Sequence, residues 1–369
     1  MDGTFLAFLP GLLIWISILI LPWRPWGTRE SLDSQHDTPA DISDVTVLIP
    51  ARNEAATIAK TLSSLKQGTG LKAILVDDQS SDDTALRAKS SELEHLSVIS
   101  GIPLDEGWSG KLWALEQGRQ HVKTNYLLLL DADIVLTPAI ISTLLNKAQT
   151  EGLQMVSLMA HLKMESAWEK LLMPAFIFFF KLLYPFHLSN KPGSFVAAAA
   201  GGCILLETSV LEKLGGFSCI KNALIDDCSL ARQVKKHGYK TWLGLTHSAT
   251  SIRDYDTLKS IWLMVRRTAY TQLAYSPLLL LLCTVLMVIA FLMPLLALLQ
   301  SDINIFIIGL LTIIVQVICY LPVLRYYSMP PIYALSLSLV GIFYLLMTWS
   351  SALHYYFGKG ANWKGRHYQ

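Results

Sequence analysis

A short apolar run that ends in two carboxylates constrains this chain more than any other segment. Residues Tyr126–Leu130 form the run, and Asp131-Ala132-Asp133 follows it directly. The run is typical of a buried strand. Side chains on a strand alternate between its two faces, so Asp131 and Asp133 project to the same side. Paired carboxylates at a strand end are poor core residues and good ligands for a divalent cation that carries phosphate groups. Because a lone Asp-x-Asp pair is common, this interpretation depends on the other polar segments.

The chain is too apolar for an ordinary soluble enzyme. Hydrophobic residues make up 52% of it and the mean hydropathy is +0.42, with the excess at the two ends. The apolar runs that approach the roughly 20 residues of a spanning helix are Phe5–Leu21, Leu278–Leu299, Ile303–Leu324 and Ile332–Leu353. They predict a polar domain held between membrane segments. The net charge of +2 offers no large basic surface, so no nucleic-acid partner is expected.

The first apolar run is interpreted as a retained anchor and not as a signal peptide. Its start carries Asp2 without a Lys or Arg, and it ends in the aromatic sequence Pro22–Trp26 instead of a small-residue cleavage site. Arg24 and Arg29 follow the run closely. By the positive-inside rule they place the central domain in the cytoplasm.

The C-terminal tail does not agree with four spanning helices. Four spans would put the tail outside, yet it carries Lys359, Lys364 and Arg366. Either one run is re-entrant or the count of spans is wrong.

The cysteines predict neither a zinc site nor a disulfide framework. They are five in number, an odd count, and no two form a Cys-x-x-Cys pair. They are expected to be small buried hydrophobic residues in a reducing compartment.

The central part of the chain alternates short β-branched runs with helical stretches. Strands are predicted at Val45–Ile49, Ala73–Val76, Leu96–Ser100, Tyr126–Leu130 and Leu153–Leu158. Helices are predicted between them at Asn53–Gln67, Asp82–His95, Gly110–Val122 and Pro138–Thr150. This alternation predicts an α/β domain with a mostly parallel sheet and helices on both faces. In such sheets, ligands bind beyond the carboxyl ends of the strands.

The predicted domain organisation follows from these patterns. Residues 1–23 are the N-terminal transmembrane anchor and 24–44 a linker. The catalytic domain covers 45–250, with a broken helix at about 168–186 that is expected to lie in the membrane interface, although a buried core helix remains an alternative. A second interfacial helix covers 251–276, the C-terminal transmembrane helices 277–355 and the tail 356–369.

Polar segments follow the first two strands. Pro50-Ala51-Arg52-Asn53-Glu54 follows the first strand, where Asn53 is expected to cap a helix whose free N–H groups attract anions. Asp77 and Asp78 end the second strand and are positioned to accept hydrogen bonds from a base or ribose. The next pair of carboxylates, at 82 and 83, is expected to cap the following helix.

Two further segments place charges near a helix start. Gly107-Trp108-Ser109-Gly110-Lys111 resembles a phosphate loop but lacks the first glycine of the Walker pattern and the Ser or Thr after its lysine. Lys111 still offers a cation suited to a diphosphate. Farther along, Gly201-Gly202 allows a close approach to the backbone. Asp226 and Asp227 open another helix, with Asp226 expected as its N-cap and Asp227 as a candidate general base.

Taken in order, these segments resemble the inverting family 2 glycosyltransferases with the GT-A fold. The Gly-Trp-x-Gly-Lys segment and the flanking apolar runs are most similar to the ceramide glucosyltransferase-like branch, and within it to bacterial hopene-associated glycosyltransferases. The resemblance implies a multi-pass protein of the bacterial inner membrane with its catalytic domain on the cytoplasmic side. It implies a nucleotide diphosphate sugar donor, with a UDP-sugar expected, and a lipid acceptor.

The resemblance also implies roles for individual residues. Donor-binding residues would be Pro50, Asn53, Glu54, Asp77, Asp78, Lys111 and Asp131. Asp133 would bind Mg²⁺ or Mn²⁺ on the diphosphate, and Asp227 would be the base. The acceptor and diphosphate side would contain Gly201, Gly202, Asp226, Arg266 and Arg267.

One family element departs from its pattern here. The family carries Gln/Arg-x-x-Arg-Trp on an interfacial helix, whereas this chain has Trp262-Leu-Met-Val-Arg266-Arg267 and lacks the first Gln or Arg and the final Trp. Either arginine is still able to hold a departing diphosphate. The departure argues against the first alternative, a processive polysaccharide synthase. The second alternative is a catalytically silent membrane scaffold, or a transport component. The apolar runs at 278–299 and 303–324 contain no ionisable residue, which counts against transport.

Overall fold

A computed structural model describes residues 4–35, 41–358, 362–363 and 366–367. Its centre is an eight-stranded sheet in the order β3-β2-β1-β4-β7-β6-β8-β5. The strands are β1 (Val45–Ala51), β2 (Lys72–Asp77), β3 (Leu96–Ser100), β4 (Tyr126–Leu130), β5 (Ile134–Leu136), β6 (Met155–His161), β7 (Cys203–Glu207) and β8 (Thr241–Ser251). The tail holds a two-stranded pair, β9 (Asn362–Trp363) and β10 (Arg366–His367).

The predicted α/β class is confirmed, and the sheet is mixed. Four of its seven strand pairings are parallel and three are antiparallel. The four strands from β3 to β4 are parallel, as the alternation predicts. β7 then runs antiparallel between β4 and β6. Periodicity does not report the direction in which such a strand returns.

Helices cover both faces of the sheet. They are α2 (Ile58–Ser64), α3 (Thr84–Lys89), α4 (Gly110–Arg119), α5 (Ile140–Glu151), α8 (Thr208–Lys213) and α9 (Asp226–Lys236). The consecutive β1 residues Val47 and Leu48 point into different apolar clusters, and both are fully buried. A strand that is buried on both faces reads as a continuous apolar run, which is why the alternation of a half-exposed strand is missing here.

The first helix of the domain begins later than the sequence predicts. A helix from Asn53 was expected, but α2 starts at Ile58 with Thr57 in the N-cap position. Asn53 has a left-handed backbone conformation, with φ of 52°, and ends β1 in a turn. Asn is one of the few residues that adopt this conformation readily. Asn53 therefore does not cap a helix, and the expected capping role is wrong.

Two helices lie between β6 and β7: α6 (Ala167–Leu183) and α7 (Phe186–Asn190). The helical region predicted at about 168–186 is interrupted at Tyr184 and Pro185, between α6 and α7, whereas α6 continues through Pro174. It starts with a capping box in which Ser166 and Glu169 satisfy each other's backbone N–H groups. Pro174 and Lys181 face the protein interior, and the Lys181 ammonium lies 3.8 Å from the centre of the Phe186 ring. This side of α6 packs against protein and is not available to lipid headgroups.

The C-terminal part is helical. It consists of α10 (Leu258–Gln272), α11 (Pro277–Met287), a π-helical turn (Val288–Leu292), α12 (Met293–Ala297), α13 (Ile303–Tyr326), a 3₁₀ segment (Pro331–Ser336) and α14 (Leu337–Phe357). Among the described residues, three helical stretches are long and apolar enough to cross a membrane: Pro277–Ala297, Ile303–Tyr326 and Pro331–Phe357. The N-terminal helix α1 (Thr4–Ile20) has a shorter apolar stretch, Phe5–Ile20.

The π-helical turn joins α1 to the other apolar helices. The wider turn leaves the Ala290 carbonyl to accept hydrogen bonds from Trp15 Nε1 and Gln316 Nε2, each at 2.9 Å. Gln316 Oε1 in turn accepts from the Ser338 hydroxyl at 2.7 Å. These buried polar groups satisfy one another, which fixes the register of α1, α13 and α14.

Part of the predicted linker is ordered against the sheet. Leu32 N–H donates to the Leu245 carbonyl at 2.9 Å, and Asp33 accepts from the Thr246 hydroxyl at 2.9 Å. Residues 36–40 of the linker and the tail positions Lys359 and Lys364 lie outside the described residues.

Candidate active site

A cavity of about 480 Å³ opens beyond the carboxyl ends of β1 and β4. One part of its wall is charged and includes Glu54, Lys111, Asp131, Asp133, Asp226, Asp227, Arg253 and Arg267. Another part is apolar and includes Met159, Leu162, Phe176, Ile177, Phe180 and Met264. Pro50, Gly201 and Gly202 also line the cavity. The structure thus gathers most of the residues that the sequence singled out into one site.

Lys111 lies between two carboxylates of the charged wall. Its ammonium is 2.9 Å from Asp131 Oδ1 and 3.2 Å from Asp226 Oδ2. Lys111 is in the first turn of α4, Asp131 follows β4 and Asp226 begins α9. Burial lowers the pKa of Lys111, but the two carboxylates outweigh burial and raise it. Burial also raises the pKa of Asp131, which Lys111 opposes and Asp133 reinforces. Lys111 is therefore a fixed positive charge.

The expected capping role of Asp226 is wrong. The N-cap position of α9 belongs to Ile225, and Asp226 directs its carboxylate to Lys111 instead. Two acidic residues in the first turn of a helix remain favourable because the helix dipole is positive there.

Asp227 is the carboxylate best suited to accept a proton. Its Oδ1 accepts a hydrogen bond from the N–H of Cys228 at 2.6 Å. Burial, and then the negative charge of Asp226, raise the pKa of Asp227 to about 7, against the opposing effect of Lys111. A base whose pKa is near the working pH balances the fraction deprotonated against proton affinity.

Gly201 and Gly202, which directly precede β7, allow side chains of the charged wall to pack closely against the backbone. A Cβ on Gly201 would lie 3.2 Å from Asp227 Oδ2 and 3.4 Å from Lys111 Nζ. A Cβ on Gly202 would lie 3.1 Å from Cδ1 of Ile134. The close approach that the sequence predicted is therefore made by the chain's own side chains.

Arg253 is a site residue that the sequence analysis missed. Its Nε lies 3.1 Å from Asp133 Oδ2, and its Nη2 lies 2.7 Å from Glu54 Oε1. The Ser251 hydroxyl donates to the same Asp133 oxygen at 2.9 Å. Burial lowers the pKa of Arg253, but the carboxylates of Asp133 and Glu54 outweigh burial, so the pKa is raised overall. Its position just past the end of β8 was the available signal, because ligand-binding residues follow strand ends in this class of fold.

The two segments assigned to the donor bind each other. Asn53 Oδ1 accepts from the Ser81 N–H at 2.8 Å, and Asn53 N–H donates to the Ser80 hydroxyl at 3.0 Å. Asp77 and Asp78 are buried and do not line the cavity itself. The structure therefore places these two carboxylates beside the cavity, behind the Pro50–Glu54 segment.

Of the two acidic residues before α3, Asp82 and Asp83, only Asp82 accepts hydrogen bonds from backbone N–H groups through its side chain. Asp82 accepts from the N–H of Thr84 at 3.0 Å and from the N–H of Ala55 at 3.1 Å. Asp83 occupies the N-cap position without a side-chain capping bond.

The two adjacent arginines of α10 share a second cavity, and one of them also reaches the catalytic cavity. Arg267 lines the catalytic cavity, and both Arg266 and Arg267 line a second cavity between α10 and α14. Consecutive helical residues point about 100° apart, which is consistent with only Arg267 reaching the catalytic cavity.

The charged wall fits a divalent cation that arrives with a diphosphate. Across the described part of the chain, no three His, Cys, Asp or Glu side chains converge as metal ligands, so there is no cage made of protein alone. Mg²⁺ needs only one or two carboxylates when substrate phosphates supply the rest. Asp131 and Asp133 are the carboxylates available, and both contacts from Ser251 and Arg253 use the Oδ2 atom of Asp133.

Comparison with known proteins identifies a family match for the central part of the chain. The model of the family described as glycosyl transferase family 2 matches residues 46–215. The 4,4'-diaponeurosporenoate glycosyltransferase of several Staphylococcus aureus strains is 36% identical over 110 residues, which is 29% of this chain and 29% of the relative. The match thus spans less than a third of the length of these curated relatives.

A solved structure extends the likeness to the whole chain. The mannosyltransferase PcManGT from Pyrobaculum calidifontis, in complex with GDP-Man and Mn²⁺, has a TM-score of 0.56 and 16% sequence identity. The alignment covers 96% of this chain and 95% of that one. With so low a sequence identity, it supports a shared fold and nothing further. Residues 46–215 therefore form a glycosyltransferase family 2 domain, and the architecture is that of the GT-A fold.

Proposed function

We propose that this protein is a membrane-bound inverting glycosyltransferase that moves a sugar from a nucleotide diphosphate sugar to a lipid hydroxyl. The observation that carries the proposal is the two-sided wall of the catalytic cavity. Its charged side suits a sugar diphosphate, and its apolar side suits a hydrocarbon chain or ring system.

The apolar side of the cavity connects to the apolar helices. Phe176, Ile177 and Phe180 of α6 line the cavity. On the other side of α6, the Phe179 ring lies 4.9 Å from the Tyr344 ring, and the Tyr344 hydroxyl donates to the Leu172 carbonyl at 2.9 Å. A lipid acceptor held against α6 would thus remain beside helices suited to a membrane.

The donor is assigned to the opposite side. Pro50, Glu54 and Asp131 line the charged wall, and Asn53 ties the first loop to the loop that follows Asp77 and Asp78. We assign Asp77 and Asp78 to the base or ribose because they lie at the end of β2, which pairs with β1 at the edge of the sheet where the cavity opens. A UDP-sugar is the donor that we expect.

The reaction follows from the position of Asp227. The acceptor hydroxyl gives its proton to the Asp227 carboxylate and its oxygen forms a bond to the anomeric carbon. The bond from that carbon to the phosphate oxygen breaks, and its electron pair leaves with the diphosphate. Attack opposite the leaving group inverts the anomeric centre.

The departing diphosphate gains charge, and the cavity holds cations to receive it. Lys111, Arg253 and Arg267 line the wall where the diphosphate would lie. Fixed cations that need no reorganisation stabilise such developing charge effectively. A divalent cation held by Asp133, with Asp131 beside it, would add further positive charge at the same phosphate oxygens.

We propose a hopanoid or another polyisoprenoid or sphingolipid-like molecule as the acceptor. The sequence resemblance to hopene-associated glycosyltransferases supports this, and the curated relative named above takes its name from diaponeurosporenoate. We further place the protein in the bacterial inner membrane with its catalytic domain in the cytoplasm, where nucleotide sugars are made.

The test is transfer by the purified full chain in nanodiscs. Radiolabelled UDP-glucose, UDP-galactose and GDP-mannose are each supplied with Mg²⁺ or Mn²⁺ and a lipid extract of the source organism. We expect one donor to label one chloroform-soluble product, which mass spectrometry then identifies. Asp227→Asn should lower the rate of labelling by roughly 10²–10⁴-fold, and the exposed Glu92→Gln serves as the matched control. A long water-soluble polymer would indicate a polysaccharide synthase. No transfer and no donor hydrolysis with any sugar would indicate a scaffold.

A further inference from the structure

We propose that the second cavity, between α10 and α14, binds the phosphate headgroup of an anionic membrane phospholipid. This cavity has a volume of about 310 Å³ and adjoins the catalytic cavity, with which it shares Leu224 and Arg267. The reaction proposed above uses the shared Arg267 but assigns no function to the rest of this cavity.

The charge of the cavity selects an anion. Arg266, Arg267 and His354 line it, and none of the described lining residues is acidic. This differs from Arg253, whose guanidinium is already held by Asp133 and Glu54. Guanidinium groups match phosphate oxygens through paired N–H donors.

The walls of the cavity are built by fixed hydrogen bonds. Tyr270 is almost completely buried, and its hydroxyl donates to the Tyr275 carbonyl at 2.9 Å. The Thr271 hydroxyl donates to the Tyr275 hydroxyl at 3.0 Å, and Tyr275 stacks on Tyr355 with ring centres 4.6 Å apart. The Ser351 hydroxyl receives the N–H of Tyr270 at 3.0 Å. The cavity is therefore pre-formed and does not need a ligand to organise its side chains.

The position of the cavity indicates a lipid as the source of the phosphate. Tyr275 lies two residues before α11 and Tyr355 lies in the last turn of α14, so the cavity sits at the ends of two helices that are apolar enough to cross a membrane. Tyrosines at such ends mark the membrane–water interface. Leu278 is 73% exposed and Leu353 50% exposed next to these tyrosines, which leaves an apolar surface for acyl chains. Basic pockets between membrane helices are a known way to bind anionic lipid headgroups.

The experiment measures retention of lipid by the full chain in detergent. The protein is titrated with phosphatidylglycerol or phosphatidylcholine, and bound lipid is counted by native mass spectrometry. We expect tighter binding of phosphatidylglycerol, and a roughly fivefold to tenfold loss of that affinity in Arg266→Gln. Lys259→Gln removes the same charge from the same helix at an exposed position outside the cavity and should bind normally. Arg266→Lys keeps the charge and should retain part of the affinity, which guards against misfolding of the glutamine variant.

Competition experiments distinguish a phospholipid headgroup from a nucleotide or a free phosphate ion as the ligand of the cavity. Inorganic phosphate and UDP at millimolar concentration should not displace phosphatidylglycerol. Displacement by UDP would assign Arg266 to the donor, and displacement by inorganic phosphate would indicate a site for free anions. Equal binding of both lipids, or equal loss in Arg266→Gln and Lys259→Gln, would also overturn the proposal. Because lipid binding is counted without turnover, this result stands apart from the test of transferase activity.

Discussion

Arg253 holds Asp133 through a contact of 3.1 Å between Nε and Oδ2 at the end of the sheet. The same guanidinium reaches Glu54 at 2.7 Å, so one cation joins the segments that follow β1, β4 and β8. Asp133 is 6% exposed. A buried carboxylate without a counter-ion is costly, which makes this arginine important for both the geometry and the charge of the site.

We expect Arg253→Gln to slow turnover by roughly 10²–10³-fold, the loss typical of removing one fixed donor from developing negative charge. The rate should fall at saturating donor, because the interaction grows as the diphosphate leaves. Lys163→Gln, which breaks the neighbouring exposed contact to Asp254, is the control and should be nearly normal. If Arg253→Gln lowers only the thermal unfolding midpoint and leaves kcat intact, the arginine is structural alone.

The pKa of Asp227 predicts the pH dependence of the reaction. A general base works in its deprotonated form, and burial beside Asp226 raises its pKa to about 7. Activity should therefore fall about tenfold per pH unit below 7 and level off above it. Asp227→Asn should remove this rising limb and lower the chemical rate by roughly 10²–10⁴-fold, with little change in donor affinity. Single-turnover rates between pH 5.5 and 8.5 measure both effects; an unchanged profile in the variant places the base elsewhere.

Asp226→Asn should weaken binding of the donor and should have little effect on proton transfer from the acceptor. A capping role alone would make this substitution mild, since Asn caps a helix about as well as Asp. The contact of Asp226 with Lys111 at 3.2 Å changes the expectation. Loss of that carboxylate lets Lys111 move, so the donor KM should rise by roughly tenfold while kcat changes less. Steady-state kinetics at saturating acceptor distinguish a change in donor KM from a change in kcat. If Asp226→Asn is as inactive as Asp227→Asn, the wrong aspartate was chosen as the base.

Metal dependence should be visible in nucleotide binding as well as in turnover. We expect Mn²⁺ to tighten UDP binding in the parent protein, as measured by calorimetry, and excess chelator to remove both this gain and the activity. Asp133→Ala should lose the gain from Mn²⁺ and turn over no substrate, because hard divalent cations need such oxygen ligands. Full activity in chelator would mean that Lys111 and Arg253 alone neutralise the diphosphate.

Labelling of one engineered cysteine can show on which side of the membrane the catalytic domain lies. Glu92 is highly exposed on the catalytic domain, so Glu92→Cys reports where that domain lies. In a background where the half-buried Cys219 and Cys283 are replaced by serine, an impermeant maleimide should label it only after the cells are permeabilised. Labelling in intact cells would place the domain outside, away from the expected donor.

Residue patterns predicted the parts of the site that follow single strands or begin single helices. Asp131 and Asp133 were found because an apolar run that ends in alternate carboxylates has few other uses. Asp227 was predicted as the base from its place at a helix start. Arg253 was missed because one basic residue after a strand forms no pattern. Its importance appears only when the end of β8 lies beside Glu54 and Asp133. The second cavity, which Arg266 and Arg267 both line, was missed for a similar reason, since residues of α14 complete it.

By itself, the sequence determined β1, β2, β3, β4 and β6 and the long apolar helices, because periodicity and apolar length act locally along the chain. It also determined the inventory of charged groups at strand ends. It did not predict β5, β7 or β8. Only the tertiary structure decided that β7 runs antiparallel, that Asp226 holds Lys111 and that α6 continues through Pro174. These outcomes depend on distances between residues far apart in the chain. The energies of such contacts are set by packing and by the low dielectric of the site, and local sequence does not carry that information.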